Sequence, residues 1–216
     1  MQSNQSTSVN NDSKWLGYYN KTSQSSKPWE TLAKTIELFQ EEKIEAKLAV
    51  DLGCGVGKDT AYLVERGWKV IAMDAEKVAE EFLFKKIPKS KQNDVTFVVA
   101  TFEDFRFPDE VQVINASYAL PFCNPANFDN VMQRITAALS VGGRFCGHFL
   151  GPNDSWEKDK AKANTSDRAK VFLDQAQVKE YFKDFKIEYY REVEEDGASG
   201  SGPKHWHLHH IIAKKV

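Results

Sequence analysis

A short apolar run that leads directly into three closely spaced glycines constrains the fold of this chain most. Residues 48–52, LAVDL, have the continuous apolar character of a buried parallel strand. Three glycines at alternating positions follow, the last of them Gly57, and residues 58–66 have a helical pattern that ends at Gly67. Strand, tight turn and helix in this order form the first half of a crossover unit, so the sequence predicts a parallel sheet covered by helices.

The same alternation continues along the chain. Further strands are predicted at 69–73, 95–100, 111–117 and 144–150, and helices from Pro28 to about Glu42, at 76–86, and from Asn124 through Leu139 to a stop at Gly142. Residues 185–193 and 204–215 are the last two strands, and residues 194–203 between them are too few to hold a crossover helix. The predicted fold is therefore α/β: a Rossmann-like, seven-stranded, mostly parallel sheet with a C-terminal antiparallel hairpin and helices on both faces.

Length and composition indicate one ordinary domain. Residues 1–13 are mostly Ser, Asn and Gln and are predicted to be a disordered tail; residues 14–216 form the domain, with 14–46 as an N-terminal lid and helix segment. A net charge of −2 and the lack of a long apolar run predict neither nucleic acid nor membrane as a partner. The widely spaced Cys54, Cys123 and Cys146 indicate reduced thiols and a cytoplasmic location. The sequence does not indicate an oligomeric state.

The glycine loop is a candidate ligand site. Gly53, Gly55 and Gly57 let the backbone turn tightly before a helix N-terminus, although a turn without a ligand has the same glycines. Asp51 precedes them, and a carboxylate there repels a pyrophosphate but suits a ligand with an ammonium group. Asp74 ends the second strand, where a carboxylate can accept hydrogen bonds from ribose hydroxyls or cap the next helix.

These motifs resemble those of the class I S-adenosylmethionine-dependent methyltransferases over about residues 15–216. VDLGCGVGKDT matches the first motif of that family, and the tellurite-resistance-type small-molecule methyltransferases are the most similar group. The resemblance implies S-adenosyl-L-methionine as cofactor, with Asp51 and Gly53 at its methionyl end and Asp74 at its ribose. The cofactor-binding residues expected around them are Cys54, Gly55, Gly57 and Ala75.

The third and fourth motifs match less closely. Thr101 stands where the family usually has an Asp for the adenine, so we expect the Phe102 backbone at the adenine edge and Glu103 in the carboxylate role, unless Glu103 only begins a helix. The fourth strand passes under the sulfonium in the family. Asn115, Ala116 and Ser117 are therefore expected to line the cofactor.

Candidate substrate residues lie in three segments. Tyr18 and Tyr19 are predicted to form an aromatic lid, and Tyr118 to lie beyond the cofactor. If the last strand is antiparallel, its first residues, including His205 and Trp206, lie at the same rim as the glycine loop and can line a substrate pocket. The alternative for both is a packed or hydrogen-bonded strand with no substrate contact. His205, His207 and His209 share one face, but metal ligands usually come from more than one element, so no metal site is predicted.

The predicted function is in-line methyl transfer from S-adenosylmethionine to a small-molecule acceptor. The protein then contributes mainly alignment and desolvation. An acceptor that must lose a proton would need a base, and His148 and His205 are the candidates. Two alternatives remain open: a module that binds the cofactor without turnover, and an NAD-dependent oxidoreductase on a similar sheet.

Overall fold

The computed structural model describes residues 15–160, 170–199 and 202–216, so the predicted tail at 1–13 lies outside the described residues. The seven strands form one sheet in the order β3-β2-β1-β4-β5-β7-β6. The strands are β1 Leu48–Leu52, β2 Lys69–Asp74, β3 Val95–Val99, β4 Val111–Ala116, β5 Leu139–Leu150, β6 Phe185–Ser199 and β7 Gly202–Lys215. The helices are α1 Leu16–Thr22, α2 Glu30–Glu41, α3 Lys58–Glu65, α4 Ala79–Lys86, α5 Phe128–Ala138, α6 Ser155–Lys160 and α7 Gln175–Tyr181.

The sheet topology confirms the predicted fold class. Strands β1 to β5 pair in parallel, and β7 is antiparallel to both β5 and β6. Because the carboxyl ends of parallel strands meet at one edge, the residues that end β1, β2 and β4 lie together there. The chain segments that follow these strands therefore form the rim of any ligand site.

Two apolar layers cover the sheet. One face packs against α2, α3 and α4 through residues such as Leu32, Leu63 and Leu83, all fully buried. The other packs against α5 and α7 through residues that include Val131 and Val178. Within the described ranges, no helix combines the length and apolar character needed to cross a membrane.

Strand β5 begins earlier than its sequence predicts. Leu139, expected in the preceding helix, already pairs with Val111 of β4. Gly143 explains this difference, because a Cβ there would lie 2.9 Å from the carbonyl oxygens of Ser140 and Val111. Glycine thus allows the close approach that continues the strand, where the sequence suggested only a helix stop.

The hairpin strands are also longer than predicted, since β6 runs to Ser199 and β7 starts at Gly202. Most of residues 194–203 is therefore strand rather than loop. Opposite charges across the hairpin favour this extension, because the His205 ring lies 2.8 Å from Asp196 and 3.1 Å from Glu194. Such cross-strand pairs are invisible until the register is known.

A buried arginine joins α2 to the hairpin side of the sheet. Arg144 of β5 is fully buried and hydrogen-bonds Glu188 of β6 and Glu42, the C-cap of α2, both at 2.6 Å. Lys214 adds a second contact to Glu42 at 2.8 Å. The charge of this arginine is thus matched on two sides.

Candidate ligand site at the carboxyl edge of the sheet

The glycine loop is held in conformations that other residues adopt at a cost. Gly53, Gly55 and Gly57 have φ values of 66°, 52° and 77°. A Cβ on Gly53 would lie 2.8 Å from Ala119 Cβ, and one on Gly57 2.8 Å from the Leu83 backbone. The loop therefore requires glycine at these positions for both its turn and its packing.

Asp74 connects this loop to the end of β2. Its Oδ2 accepts the Gly55 N–H at 2.9 Å, and its Oδ1 accepts the Glu76 N–H and the Tyr19 hydroxyl, each at 3.0 Å. The Tyr19 ring also lies over Gly55, since a Cβ there would be 3.6 Å from Tyr19 Cε1. Burial raises the pKa of Asp74, which is only 7% exposed under this tyrosine.

A second group of polar side chains lies between β1, β4 and α3. The Asn115 amide nitrogen donates to Asp51 Oδ1 at 2.8 Å and to Asp59 Oδ2 at 3.0 Å. Thr60 donates to the other oxygen of Asp51, and the Trp29 N–H donates to the other oxygen of Asp59. The sequence predictions missed Asp59; an acidic residue in the first turn after the loop was the available signal.

Within the described part of the chain, neither of these two aspartates forms an ion pair within 4.0 Å. Asp51 and Asp59 are 2% and 5% exposed. Burial, together with the charge of Asp59, raises the pKa of Asp51 to about 7, and burial likewise raises the pKa of Asp59. Lys58 is the cation whose charge acts on Asp59, and burial lowers the pKa of this lysine. The site therefore favours an added positive charge.

An aromatic group borders the aspartates, and we define it as Trp29, Tyr118, His148 and Trp206. Tyr118 is its centre, with ring centroids 4.3 Å from Trp29, 4.2 Å from His148 and 6.1 Å from Trp206. Tyr118 has φ 54°, an unfavourable value for a residue with a side chain. The predictions included Tyr118, His148 and Trp206 but missed Trp29, which reaches the group from the start of α2.

His148 is the titratable member of the aromatic group. It is 1% exposed, and its Nδ1 is buried with no hydrogen-bond partner among the described residues. Burial, with His210 and Lys58 nearby, holds its pKa well below the usual value. Burial therefore favours the neutral form of the ring, in which one of the two nitrogens carries a lone pair.

His205 lies apart from this group. Both of its ring nitrogens face carboxylates of β6, Asp196 and Glu194, and these contacts raise its pKa. A ring whose two nitrogens both contact carboxylates has no nitrogen left to accept a proton from an acceptor. Adjacent residues of a strand point to opposite faces, so His205 lies on the other face of the hairpin from Trp206. This placement argues against His205 both as the base and as a substrate-binding residue.

The remaining histidines of that face form a hydrogen-bonded network. Glu192, His207 and His209 lie close enough to share a metal ion. However, His207 Nδ1 accepts the Asn153 N–H at 3.1 Å, so its proton is on Nε2, which faces Glu192 at 2.8 Å. His209 Nδ1 lies 2.7 Å from the Tyr190 hydroxyl. Because Nε2 of His207 carries the proton, it has no lone pair to offer a metal ion. These hydrogen bonds therefore favour a structural network over a metal site.

Of the two residues expected at the adenine end, Phe102 lies beside the glycine loop, whereas Glu103 contacts a turn. The Phe102 ring lies 3.7 Å from the Cβ position of Gly53 and so borders the loop. Glu103 accepts the Asn124 N–H at 2.8 Å, which favours a structural role in the turn after β4. Of the remaining expected cofactor residues, Cys54 and Ala116 are buried, Ala75 is exposed, and Ser117 donates to Asn115 at 2.8 Å.

Sequence comparison finds the methyltransferase domain family in residues 49–143. An uncharacterized methyltransferase of Synechocystis is 30% identical over 110 residues, which are 50% of this chain and 49% of that protein. The cypemycin N-terminal methyltransferase of Streptomyces is 32% identical over 120 residues, 55% of this chain and 46% of that protein. The chain thus spans about half the length of the curated relatives it matches.

Solved structures share the fold over most of the chain. TehB from Haemophilus influenzae has a TM-score of 0.69 at 18% identity, covering 92% of this chain and 66% of that one. The 1,6-didemethyltoxoflavin-N1-methyltransferase of Burkholderia thailandensis, solved with 1,6-didemethyltoxoflavin and S-adenosylhomocysteine, has a TM-score of 0.63 at 16% identity, covering 94% and 85%. The predicted resemblance to S-adenosylmethionine-dependent methyltransferases is confirmed for the matched domain.

Proposed function

Because residues 49–143 match the methyltransferase domain family, we propose that this chain binds S-adenosyl-L-methionine at the carboxyl edge of its sheet and methylates a small-molecule acceptor. The hydrogen bond from the Gly55 N–H to Asp74 is the observation that carries the proposal. It joins the glycine loop and the acid of the next strand in one site. The bound small molecule in the Burkholderia relative supports the acceptor class.

The polar groups of the site fit the chemistry of this cofactor. The carboxylate of Asp74 suits the two ribose hydroxyls, and the buried carboxylate of Asp51 suits the ammonium group. Lys58, whose ammonium lies 3.5 Å from the centre of the Trp29 ring, suits the carboxylate at the same end. When bound, the cofactor would supply an electrophilic methyl group: an electron-rich acceptor atom would bond to the methyl carbon in line, and the carbon–sulfur bond would break to leave a neutral thioether.

The aromatic group is our candidate for the acceptor side. Trp29, Tyr118 and Trp206 present rings that exclude water from the reacting atoms, and loss of water strengthens the nucleophile. Where the acceptor carries an N–H or O–H, we assign His148 Nδ1 to accept the released proton, because that atom has no other described partner. An acceptor that is already a soft anion would not need this group.

Tyr19 gives the proposed lid a specific contact. Its hydroxyl occupies part of the Asp74 carboxylate that the ribose would use, and its ring covers Gly55. We therefore propose that α1 shifts when the cofactor binds.

The three buried cysteine thiols remain free within the structure, and the cytoplasmic location stays a prediction.

Calorimetry with S-adenosylhomocysteine tests the proposal. Asp74→Asn should weaken binding by about 1–3 kcal/mol, the range for losing hydrogen bonds to a charged group. Asp104→Asn, an exposed carboxylate that contacts Thr101, is the matched control and should bind normally. Wild-type protein that binds NAD but not S-adenosylhomocysteine would overturn the proposal.

Turnover requires a separate measurement. Wild-type protein with S-adenosylmethionine carrying a labelled methyl group should transfer label to some members of a panel of phenols, heteroaromatic amines, thiols and tellurite. Binding of the cofactor with no transfer across the panel would instead favour the binding module without turnover.

A further inference from the structure

Tryptophan is concentrated at one place in this fold. Of the five tryptophans, Trp68 packs against Phe39 in the core and is 2% exposed. The other four are partly exposed, and each has a ring contact with Tyr118 or Phe122, which follow the carboxyl end of β4; they are Trp15, Trp29, Trp156 and Trp206. Partly exposed aromatic rings at the ligand edge of a sheet are typical of a binding surface for an apolar ligand.

Three of these rings extend the aromatic group outward, and we call Trp15, Phe122 and Trp156 the outer rings. Phe122 is the link between them, with its ring centroid 4.9 Å from that of Trp15 and 6.2 Å from that of Trp156. The Trp156 ring in turn lies 5.6 Å from Trp206, a member of the aromatic group. The outer rings and the aromatic group therefore form one continuous surface, although their residues come from distant parts of the chain.

The angles between these rings leave part of each ring face uncovered. The three contacts that run from Trp15 through Phe122 and Trp156 to Trp206 have interplanar angles of 87°, 58° and 62°. Rings that meet at such angles cover only part of each other's faces, so a further planar ring can still stack on them. A flat aromatic ligand would therefore gain more from this surface than a saturated ligand of the same size.

Lysine ammonium groups lie over some of the same rings. The Lys204 Nζ is 4.1 Å from the centre of the Trp156 ring and 4.2 Å from that of Trp206, and a buried ion pair with Asp154 holds it there. The Lys170 Nζ lies 4.4 Å from the centre of the Trp156 ring. A cation over one face draws electron density from the ring, so the ring then attracts an electron-rich partner better than a second cation.

We propose that the acceptor is a planar, electron-rich aromatic compound without a positive charge, a phenol or an N–H heteroaromatic, and that the outer rings bind it together with Trp206. The inference rests on the proposed function and adds the outer rings to the acceptor side. The acceptor oxygen or nitrogen forms its bond to the methyl carbon as the carbon–sulfur bond breaks, which leaves S-adenosylhomocysteine. The proton of the O–H or N–H passes to His148 Nδ1 and from there to solvent.

Calorimetry with three probes of similar size tests the acceptor class on wild-type protein saturated with S-adenosylhomocysteine. The probes are 2-naphthol, its saturated counterpart decahydro-2-naphthol, and 2-naphthylmethylamine, which is a cation at neutral pH. 2-Naphthol should bind at least about tenfold more tightly than either of the others, the value of about two aromatic contacts. Equal or tighter binding of the saturated alcohol or of the amine would overturn the inference, as would no binding of 2-naphthol.

Leucine variants test which rings are responsible. Trp156→Leu and Trp206→Leu keep an apolar side chain but lose the ring, so each should weaken 2-naphthol binding about three- to tenfold. Affinity for S-adenosylhomocysteine should not change. Trp206→Phe, which retains a ring, should keep most of the preference for 2-naphthol over decahydro-2-naphthol. Tyr189→Leu is the matched control, because this ring also has a lysine over it, with the Lys34 Nζ at 4.2 Å, but lies in β6.

Acceptor turnover separates this inference from the proposed function. In the panel of labelled-methyl acceptors, label should appear in phenols or heteroaromatic amines. Transfer to thiols or tellurite alone would overturn the inference and leave the proposed function intact. If wild type does not bind S-adenosylhomocysteine, the proposed function fails instead, and the three probes on the free protein still test whether the surface selects flat, uncharged rings. The comparison of probes on wild type needs no variant, so it stands even where a leucine variant does not fold.

Discussion

The glycine-loop side and the hairpin side of the sheet both concentrate charged groups, but they balance them differently. On the hairpin side the carboxylates have cationic partners, as Glu42 has in Arg144, and this contact lowers the pKa of Glu42 to about 2. On the loop side the partners of Asp51 are neutral, and burial beside Asp59 raises its pKa to about 7. The same carboxyl group is thus shifted in opposite directions within one domain.

The type of partner, cationic or neutral, distinguishes carboxylates that hold the fold together from carboxylates that are candidates for ligand binding. A set of charges that is complete in the folded chain, such as Arg144 with Glu42 and Glu188, holds elements together and needs no further group. A buried set of carboxylates whose hydrogen-bond donors are neutral, such as Asp51 with Asp59, is instead a cost to stability. Removing a group should therefore destabilise the first region and stabilise the second.

The largest effect is expected at Arg144. Arg144→Met leaves the largely buried Glu188 with the exposed and more distant Lys186, at 3.9 Å, in place of the 2.6 Å contact to Arg144, so the free energy of unfolding from urea denaturation should fall by about 3–5 kcal/mol. Lys214→Met is the control, because this partly exposed lysine leaves Glu42 bound to Arg144. Equal losses in the two variants would contradict the view that Arg144 completes the network.

A smaller effect is expected at Tyr19. Tyr19→Phe removes the hydroxyl that occupies Asp74, so S-adenosylhomocysteine should bind up to about tenfold more tightly, the value of one hydrogen bond. Tyr18→Phe, on the exposed neighbour, should bind as wild type does. Weaker binding by Tyr19→Phe would show that the tyrosine orients Asp74 in the complex and does not compete with the ribose.

The smallest effect is expected at His205. His205→Ala breaks contacts with Asp196 and Glu194 at the exposed end of the hairpin, where solvent screens the charges. Cofactor affinity and methyl transfer should not change measurably, whereas Trp206→Ala should alter acceptor use. Loss of transfer in His205→Ala, with normal cofactor binding, would restore His205 as a catalytic candidate.

The sequence by itself determined the parallel sheet, its antiparallel end, the glycine loop and the acids at 51 and 74. These features follow from local patterns: apolar runs, glycine spacing and the length of connections, each within a few residues. Asp74 could be predicted as a site residue because it is the last residue of a parallel strand, and the carboxyl ends of such strands lie at the ligand-binding edge of the sheet. No long-range contact was needed for any of these predictions.

Only the tertiary structure decided which side chains share a site. Asp59 meets Asn115 across 56 positions of the chain, and Trp29 reaches Asp59 across 30. Neither separation leaves a periodic signal in the sequence. The two faces of the hairpin likewise depend on strand register, so His205 and Trp206 are neighbours in sequence but have different surroundings. Burial and pairing, which decide whether a carboxylate is structural or awaits a ligand, are properties of the folded chain alone.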